Sequence, residues 1–286
     1  MHALPLVLAT LIALALAPAL LRAMAERGQL HANYRGRRLP YPFGVLTPVA
    51  AALALVPLML IARLAPADVF HPEIAPVVLY AFGVAALGLI DDTLGEHGSD
   101  RAASAGGAPP RGWRGHGAAA LSGEFSTGAI KAVGALGLAL LAMDALGLSD
   151  GRWLLAAAVL VLATNLFNLL DLRPGRTLKG FVVLGAGVVI GSGELRALWT
   201  VGLLAGPVLV AGAYDLRERA MLGDTGSNLV GALAGLLLVL TLSATGQLIA
   251  LGLLLVITVY GELRSISELI ERTPGLRELD SLGRPS

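Results

Sequence analysis

Cysteine is absent from this 286-residue chain, which excludes disulfide bonds, thiolate metal sites and thiol nucleophiles. Charged residues are scarce at 14%, and aromatic residues make up only 5%. Apolar residues take their place, because 56% of the chain is hydrophobic and its mean hydropathy is +0.75. A soluble globular domain does not have this composition, so the sequence predicts an all-α polytopic membrane protein.

Apolar runs long enough to cross a bilayer recur along the chain. A hydrocarbon core about 30 Å thick needs roughly 20 helical residues per crossing. About nine runs qualify, at residues 4–21, 44–62, 74–90, 127–143, 153–170, 178–191, 195–213, 228–242 and 248–263. The first run has no basic residue before it, so it is predicted to be a retained helix and not a cleaved signal peptide. Residues 1–263 are predicted to form the transmembrane domain, and 264–286 a cytoplasmic amphipathic tail that either lies along the membrane surface or closes over the site.

Basic residues predict the orientation of the chain. With the N-terminus outside and the C-terminus cytoplasmic, only three of the 21 Lys and Arg residues fall in outer loops, namely Arg63, Arg152 and Arg196. The positive-inside rule therefore favours this arrangement, in a multi-pass protein of the cytoplasmic membrane. The net charge of +1 gives no indication of a nucleic-acid partner.

One polar stretch, residues 221–228, interrupts the apolar runs with the sequence MLGDTGSN. Its glycines allow close approach to a ligand, and Thr225, Ser227 and Asn228 can cap the helix predicted to follow. A helix N-terminus attracts phosphate, whereas Asp224 repels phosphate unless a cation lies between them. The stretch therefore indicates a divalent metal that holds a phosphorylated ligand. The alternative is a capped helix start with a solvated Asp224.

Two more polar groups lie at predicted helix ends. Asp91 and Asp92 end the third run. Adjacent carboxylates that face a cavity commonly bind a cation or share a proton, and a hydrated helix terminus is the alternative. Asn165, Asn168 and Asp171 are spaced i, i+3, i+6 and so share one helix face. That face either recognises a nucleotide or sugar, or forms an interhelical hydrogen-bond seam.

Basic residues mark possible phosphate contacts. The loop after the first run carries Asn33 and five arginines, one of which is Arg35. These arginines either determine topology near anionic lipid or bind a phosphate. Lys131, one of two lysines in the chain, lies about one turn inside the fourth helix, where it either reaches the interface or contacts an anionic group. Residues 96–124 lack periodicity and are predicted to form a mobile loop.

The order of these motifs is informative. Under the predicted topology, Asp91, Asp92, Asp171 and Asp224 all fall at cytoplasmic helix ends, which indicates one shared site. The Asp pair, the Asn-x-x-Asn-x-x-Asp stripe and the Gly-Asp-Thr-Gly-Ser stretch follow one another on alternate loops. In this respect the chain resembles the polyprenyl-phosphate N-acetylhexosamine-1-phosphate transferase family, over most of its length.

The resemblance implies Mg²⁺-dependent transfer of a sugar 1-phosphate from a UDP-sugar to a polyprenyl phosphate, with release of UMP, for cell-wall or surface-polysaccharide synthesis. It implies that Asp224 is the principal Mg²⁺ ligand, that Asp92 is a second ligand or a partner at the metal site, and that Asp91 deprotonates or orients the lipid phosphate. A homodimer is a further expectation. The substrate contacts implied by the resemblance are Asn33, Arg35, Lys131, Asn165, Asn168, Asp171, Thr225, Gly226 and Ser227.

Several features depart from the family pattern. The Gly and second Asp expected after Asp171 are replaced by a Leu-Arg-Pro-Gly turn, and an aromatic residue expected three positions before Asp224 is Met221. One branch of the family, the phospho-N-acetylmuramoyl-pentapeptide transferases, has a histidine cluster in its last cytoplasmic loop. That cluster and the tenth span usual in the family are also missing. These departures speak against the muramoyl-pentapeptide reaction and leave the donor open. The alternative function is a catalytically weak or inactive relative that binds lipid-linked intermediates or partner proteins.

Overall fold

The computed structural model describes residues 1–65, 67–95 and 127–285, which form a nearly all-α protein. A small hairpin of β1 (Leu30–Ala32) and β2 (Arg38–Pro40) and a 3-10 turn (Phe43–Val45) follow the first helix. The predicted mobile loop at residues 96–124 lies outside the described residues. The helices are α1 (Leu4–Glu26), α2 (Leu46–Leu64), α3 (Ile74–Leu94), α4 (Thr127–Ala145), α5 (Asp150–Leu170), α6 (Arg176–Ser192), α7 (Arg196–Leu216), α8 (Gly223–Thr241), α9 (Ala244–Leu263), α10 (Ile266–Arg272) and α11 (Leu276–Ser281).

Eight helices in the described part of the chain are long and apolar enough to cross a membrane. They are α1, α2 with the turn before it, α3, α4, α5, α7, α8 and α9. The remaining predicted run, residues 178–191, forms α6, whose 17 residues make it the shortest of the nine long helices. These helices indicate a membrane protein.

Helix α8 lies at the centre of the bundle, and nearly all of its residues are buried. It packs against α3, α5, α6 and α7. Small residues allow the close approach, because a Cβ atom on Gly231 would lie 2.6 Å from the Cα of Thr164 in α5. A Cβ atom on Gly88 would lie 2.5 Å from the carbonyl oxygen of Asp224. The end of α3 is therefore packed directly on the first turn of α8.

One end of the bundle, here called the acidic end, collects the ends of α3, α5 and α7 and the starts of α4, α6 and α8. The opposite end of α3 is about 30 Å away, since its 21 residues rise about 1.5 Å each. The segment after the hairpin is fixed to the acidic end by three backbone hydrogen bonds. The Met221 amide donates to Pro40 (3.0 Å), the Phe43 amide to Met221 (2.8 Å) and the Gly44 amide to Leu222 (2.9 Å). The hairpin segment and the start of α8 thus form one unit.

Candidate functional site at the acidic end

Three charged side chains from three helices meet at the acidic end. The Nζ atom of Lys131, from α4, donates a hydrogen bond to Oδ2 of Asp91, from α3, at 2.8 Å. The same Nζ atom pairs with Oδ2 of Asp224, from α8. Asp91 and Asp224 lie far apart in the sequence, and one ammonium group bridges them. The arrangement creates a compact site for positive charge that is largely shielded from solvent.

Asn168, from α5, adds an amide to this group. With its amide turned so that the nitrogen faces acceptors, the nitrogen donates to Oδ1 of Asp224 (3.2 Å) and to Oγ of Ser227 (3.0 Å). The amide oxygen then accepts from the Lys131 ammonium at 3.2 Å. Asn168 therefore contacts both the Asp224 carboxylate and the Lys131 ammonium group, and these two contacts determine the orientation of its amide.

Asp92 has a different role from its neighbour Asp91, because it caps the N-terminus of α8. Its Oδ1 accepts from the Asp224 amide (2.8 Å) and from the Tyr41 hydroxyl (2.5 Å). Its Oδ2 accepts from the amide and the hydroxyl of Thr225, at 2.8 Å and 2.5 Å. The first amides of a helix have no partner within the helix, and a carboxylate is favoured there by charge. Four hydrogen-bond donors therefore already contact the two oxygens of Asp92. The role of Asp92 as a metal ligand stays a prediction.

The cap on α8 differs from the one that the sequence predicts. Helix α8 begins at Gly223 and not after Asn228, so Thr225, Ser227 and Asn228 lie inside its first turns and do not cap it. The predicted capping role was wrong because a carboxylate from another helix takes it. Gly226 has a packing role, since a Cβ atom on it would lie 3.0 Å from the Cα of Gly44.

Tyr41 belongs to the site although no sequence pattern points to it. Burial, and then the nearby Asp92 carboxylate, raises the pKa of the Tyr41 phenol well above its ordinary value. The hydroxyl therefore remains a hydrogen-bond donor to Asp92 at every physiological pH. Tyr41 joins the hairpin segment to the cap of α8.

Asp171 follows the last residue of α5 and faces a second carboxylate. Its Oδ1 accepts from the Thr177 hydroxyl at 3.2 Å, and Asp215, from α7, accepts from the Gly175 amide at 2.7 Å. Burial and then the Asp215 carboxylate raise the pKa of Asp171 well above its ordinary value. Asp92 and Asp224 raise it further, so Asp171 is electrostatically coupled to the acid cluster.

Two buried amides extend from the cluster toward the interior of the bundle. Asn165 lies about one turn before Asn168 on α5, and Asn228 lies one turn after Asp224 on α8. The amide nitrogen of each is buried and has no hydrogen-bond partner in the part of the chain that the structure describes. A buried donor without a partner costs about 1–3 kcal/mol. These two amides are therefore available to a ligand or to water.

Asn33 and Arg35 contact Glu218, which no sequence pattern indicated. Glu218 is fully buried, and the Asn33 amide donates to it at 3.4 Å. The guanidinium groups of Arg35 and Arg37 pair with the same carboxylate at 3.5 Å and 3.3 Å. Asn33 also accepts from the Arg35 and Arg37 amides, which closes the hairpin turn. Asn33 and Arg35 thus anchor the hairpin to Glu218, and their contacts with a substrate stay a prediction.

Few side chains at the site could bind a metal ion. Over residues 1–65, 67–95 and 127–285, no group of three or more His, Cys, Asp or Glu side chains is arranged to hold a metal ion. Asp91 and Asp224 nevertheless supply two carboxylates at one point, and Asn168 supplies an amide oxygen. Neither a family model nor a curated protein matches the chain. The fold and the site together define a helical membrane protein with an acidic, amide-lined cluster at one end of its bundle.

Proposed function

We propose that the protein transfers a sugar 1-phosphate from a UDP-sugar to a polyprenyl phosphate at the cytoplasmic face of the cytoplasmic membrane. An oxygen of the lipid phosphate forms a bond to the β-phosphorus of the UDP-sugar. The bond between the β-phosphorus and the oxygen that bridges to the uridine phosphate breaks, and UMP leaves. The products are a lipid-linked diphosphosugar and UMP.

The convergence of Asp91 and Asp224 on the Lys131 ammonium carries this proposal. Two carboxylates from distant parts of a chain share one cation, beside amides that can accept or donate. Transfer of a phosphoryl group between two anions depends chiefly on positioning and on positive charge. The resemblance of the ordered motifs to the transferase family supports the same reaction.

The donor set at the site fits Mg²⁺. This ion prefers oxygen ligands and is usually held by one or two carboxylates together with waters and substrate phosphates. Asp224 would hold it, with the Asp91 carboxylate and the Asn168 amide oxygen beside it. When bound, Mg²⁺ would neutralise charge on the reacting phosphates. Lys131 balances the two carboxylates, and Asp92 positions Asp224 by holding the start of α8.

The remaining polar groups have substrate roles in this proposal. Asp91 deprotonates or orients the lipid phosphate. The buried amide of Asn165 donates a hydrogen bond to the nucleotide-sugar, and Asp171 contacts the same substrate. Each role uses an atom that lies at or one turn from the acid cluster.

The proposal includes a definite topology. The chain crosses the membrane nine times, with α6 as the sixth crossing, the N-terminus outside and the C-terminus cytoplasmic. The acidic end of the bundle is then cytoplasmic, where nucleotide-sugars are available. The positive-inside rule supports this orientation, because the loops at the acidic end carry most of the arginines.

The direct test is turnover by the full chain in lipid nanodiscs. The protein is incubated with Mg²⁺, undecaprenyl phosphate and a panel of UDP-sugars, and UMP and lipid-linked product are quantified. We expect product with at least one donor, and a loss of at least about a hundredfold in Asp224→Asn, as for removal of a group that stabilises transition-state charge. Glu194→Gln, an exposed acid at the opposite end of α7, is the matched control and should leave the rate unchanged. The absence of turnover with every donor would overturn the proposal.

A second candidate function is binding of lipid-linked intermediates without turnover. The observation that favours it is that the Lys131 ammonium already occupies the point where Asp91 and Asp224 converge. A binding protein of this kind would retain a lipid diphosphosugar in nanodiscs and release no UMP. The enzyme would show both binding and release.

A further inference from the structure

The C-terminal tail is attached to the bundle by a cluster of charges around Asp280. The carboxylate of Asp280, in α11, is met by two guanidinium groups. Arg176, the first residue of α6, donates to its two oxygens at 2.9 and 3.0 Å. Arg284 donates to the same oxygens at 2.7 and 3.1 Å. Such paired contacts are the strongest form of ion pair that arginine makes.

A third cation joins this cluster. The Lys179 ammonium, one turn into α6, donates to the backbone oxygen of Asp280 at 2.5 Å. The Arg176 guanidinium is only 5% exposed, and the Asp280 side chain 10%. Three cations therefore surround one carboxylate in a largely dry environment. Asp215 lies near Arg284 and offsets part of its charge, so the excess of positive charge that favours another anion lies on Arg176 and Lys179.

Apolar burial does not explain the docking of α11. Leu276 and Leu279 in α11 and Leu282 after it are 42–67% exposed, whereas the Asp280 side chain is only 10% exposed. Helix α11 has only six residues. Beyond Asp280, the end of the tail is held by Arg284, which donates to the Pro174 oxygen at 2.7 Å, and by Arg35, which donates to the Pro285 oxygen at 3.3 Å. Displacing the Asp280 carboxylate therefore removes the charged contact of α11 itself and loosens the tail.

The position of the cluster connects it to the acidic end. Arg176 precedes Thr177, which hydrogen bonds to Asp171, and Gly175 before it hydrogen bonds to Asp215. Arg284 belongs to the tail and leaves with it. Arg176 and Lys179 belong to α6 and stay at the acidic end. The cations that remain lie on a face of α6 next to Asp171.

We propose that Arg176 and Lys179 form a binding site for a phosphate group, and that the carboxylate of Asp280 occupies this site as an internal competitor. Phosphate carries more charge than a carboxylate and offers three acceptor oxygens, which suits a guanidinium and an ammonium side by side. Binding of phosphate and docking of the tail are then mutually exclusive. The site is separate from the Lys131 cluster, and its occupation does not require turnover there.

The test measures binding of inorganic pyrophosphate to the full chain in zwitterionic nanodiscs by isothermal titration calorimetry. Asp280→Asn preserves the size of the side chain and removes its charge. A site that is free in about a tenth or less of the molecules gains about tenfold or more in apparent affinity when the competitor is removed. We expect that gain in Asp280→Asn. Glu268→Gln, in an exposed i, i+4 pair of the same tail, makes the same charge change and should leave the affinity unchanged.

Loss variants identify the site. In the Asp280→Asn background, Lys179→Met should abolish the gained affinity, and so should Arg176→Gln. Lys179→Met keeps the conclusion secure if the buried Arg176 variant fails to fold. An Asp224→Asn background should show the same tenfold gain, which separates this proposal from the transferase proposal. Equal affinity in wild type and Asp280→Asn, or a gain that survives Lys179→Met, would overturn the inference.

The phosphate group has two sources, a soluble ligand or a lipid headgroup. Repeating the titration of Asp280→Asn in nanodiscs that contain phosphatidic acid distinguishes them. Weakened pyrophosphate binding would identify the headgroup as a ligand of this site. Unchanged binding would identify a soluble phosphate compound. Both results retain the phosphate site and assign its ligand.

Discussion

The Asp92→Asn substitution tests the geometry of the acidic end without any substrate. Asp92→Asn keeps the size of the side chain but places an NH₂ group where an oxygen now accepts two donors. Hydrogen bonds to a charged group contribute about 1.5–3 kcal/mol each. Loss of a helix cap costs up to about 2 kcal/mol. We therefore expect the first turn of α8 to lose about 3 kcal/mol of local stability.

Hydrogen–deuterium exchange with mass spectrometry measures this loss in nanodiscs. Opening of the first turn should become about 150-fold more frequent, since 1.4 kcal/mol corresponds to a factor of ten. The amides concerned are those of Asp224 and Thr225, which donate to Asp92. Asp91→Asn is the matched control, because Asp91 pairs with Lys131 instead. Wild-type exchange in Asp92→Asn, or equal acceleration in both variants, would refute the assignment of Asp92 as the cap.

Other predictions concern the charges around the site. Lys131→Met leaves two carboxylates together without their cation, so we expect the unfolding free energy to fall by about 3–5 kcal/mol. Thermal unfolding measures this loss, and adding Asp91→Asn should recover part of it. An unchanged unfolding midpoint in Lys131→Met would contradict the pairing. Glu218→Gln weakens the pairing with Arg35 and Arg37 that anchors the hairpin, so trypsin should cleave after these arginines faster than in wild type. Equal cleavage rates in the variant and wild type would contradict this anchoring role. Burial opposes ionisation of Asp280, but hydrogen bonds from two arginines hold its pKa below the ordinary value. Its stabilising charge is therefore present above the ordinary carboxyl pKa of about 3.9 and is lost as the pH falls through the depressed value. A spin label on Leu282→Cys, in a chain without other cysteines, should become mobile in that acid range, and constant mobility would contradict it.

The sequence allowed prediction of the helices and of the acid positions for a simple reason. Long apolar runs determine where helices lie in lipid, and acids at the ends of such runs must collect at the ends of the bundle. The sequence predicts one shared site for Asp91, Asp92, Asp171 and Asp224, and the structure brings the helix ends that carry them to the acidic end of the bundle. The shortest predicted run, residues 178–191, lies within α6, which has 17 residues and is flanked by Gly175 and Gly193, both with positive φ.

The contacts of the site could not be predicted from periodicity. Asp91 and Asp92 are adjacent and chemically identical, yet one pairs with Lys131 and the other caps α8, because successive residues of a helix point about 100° apart. Tyr41 reaches Asp92 only after the hairpin segment pairs with the residues before α8. These are consequences of tertiary packing.

The buried acids of α7 and its following turn were also missed. Asp215 and Glu218 lie in a stretch rich in charge that has the composition of an exposed loop. Glu218 has a positive φ of 51°, an uncommon conformation for a residue with a side chain. The only signal was an acid surrounded by arginines, and that pattern is equally common on solvated surfaces.

A double-mutant comparison of sugar 1-phosphate transfer tests most directly that Asp91 and Asp224 act in one site. The rate of transfer to undecaprenyl phosphate is measured for wild type, Asp91→Asn, Asp224→Asn and the double variant, with the active UDP-sugar and Mg²⁺. Residues that act as a unit are not additive, so we expect each single variant to lose at least about a hundredfold and the double variant to be no worse than the poorer single variant. A wild-type rate in either single variant, or losses that multiply in the double variant, would contradict a shared site.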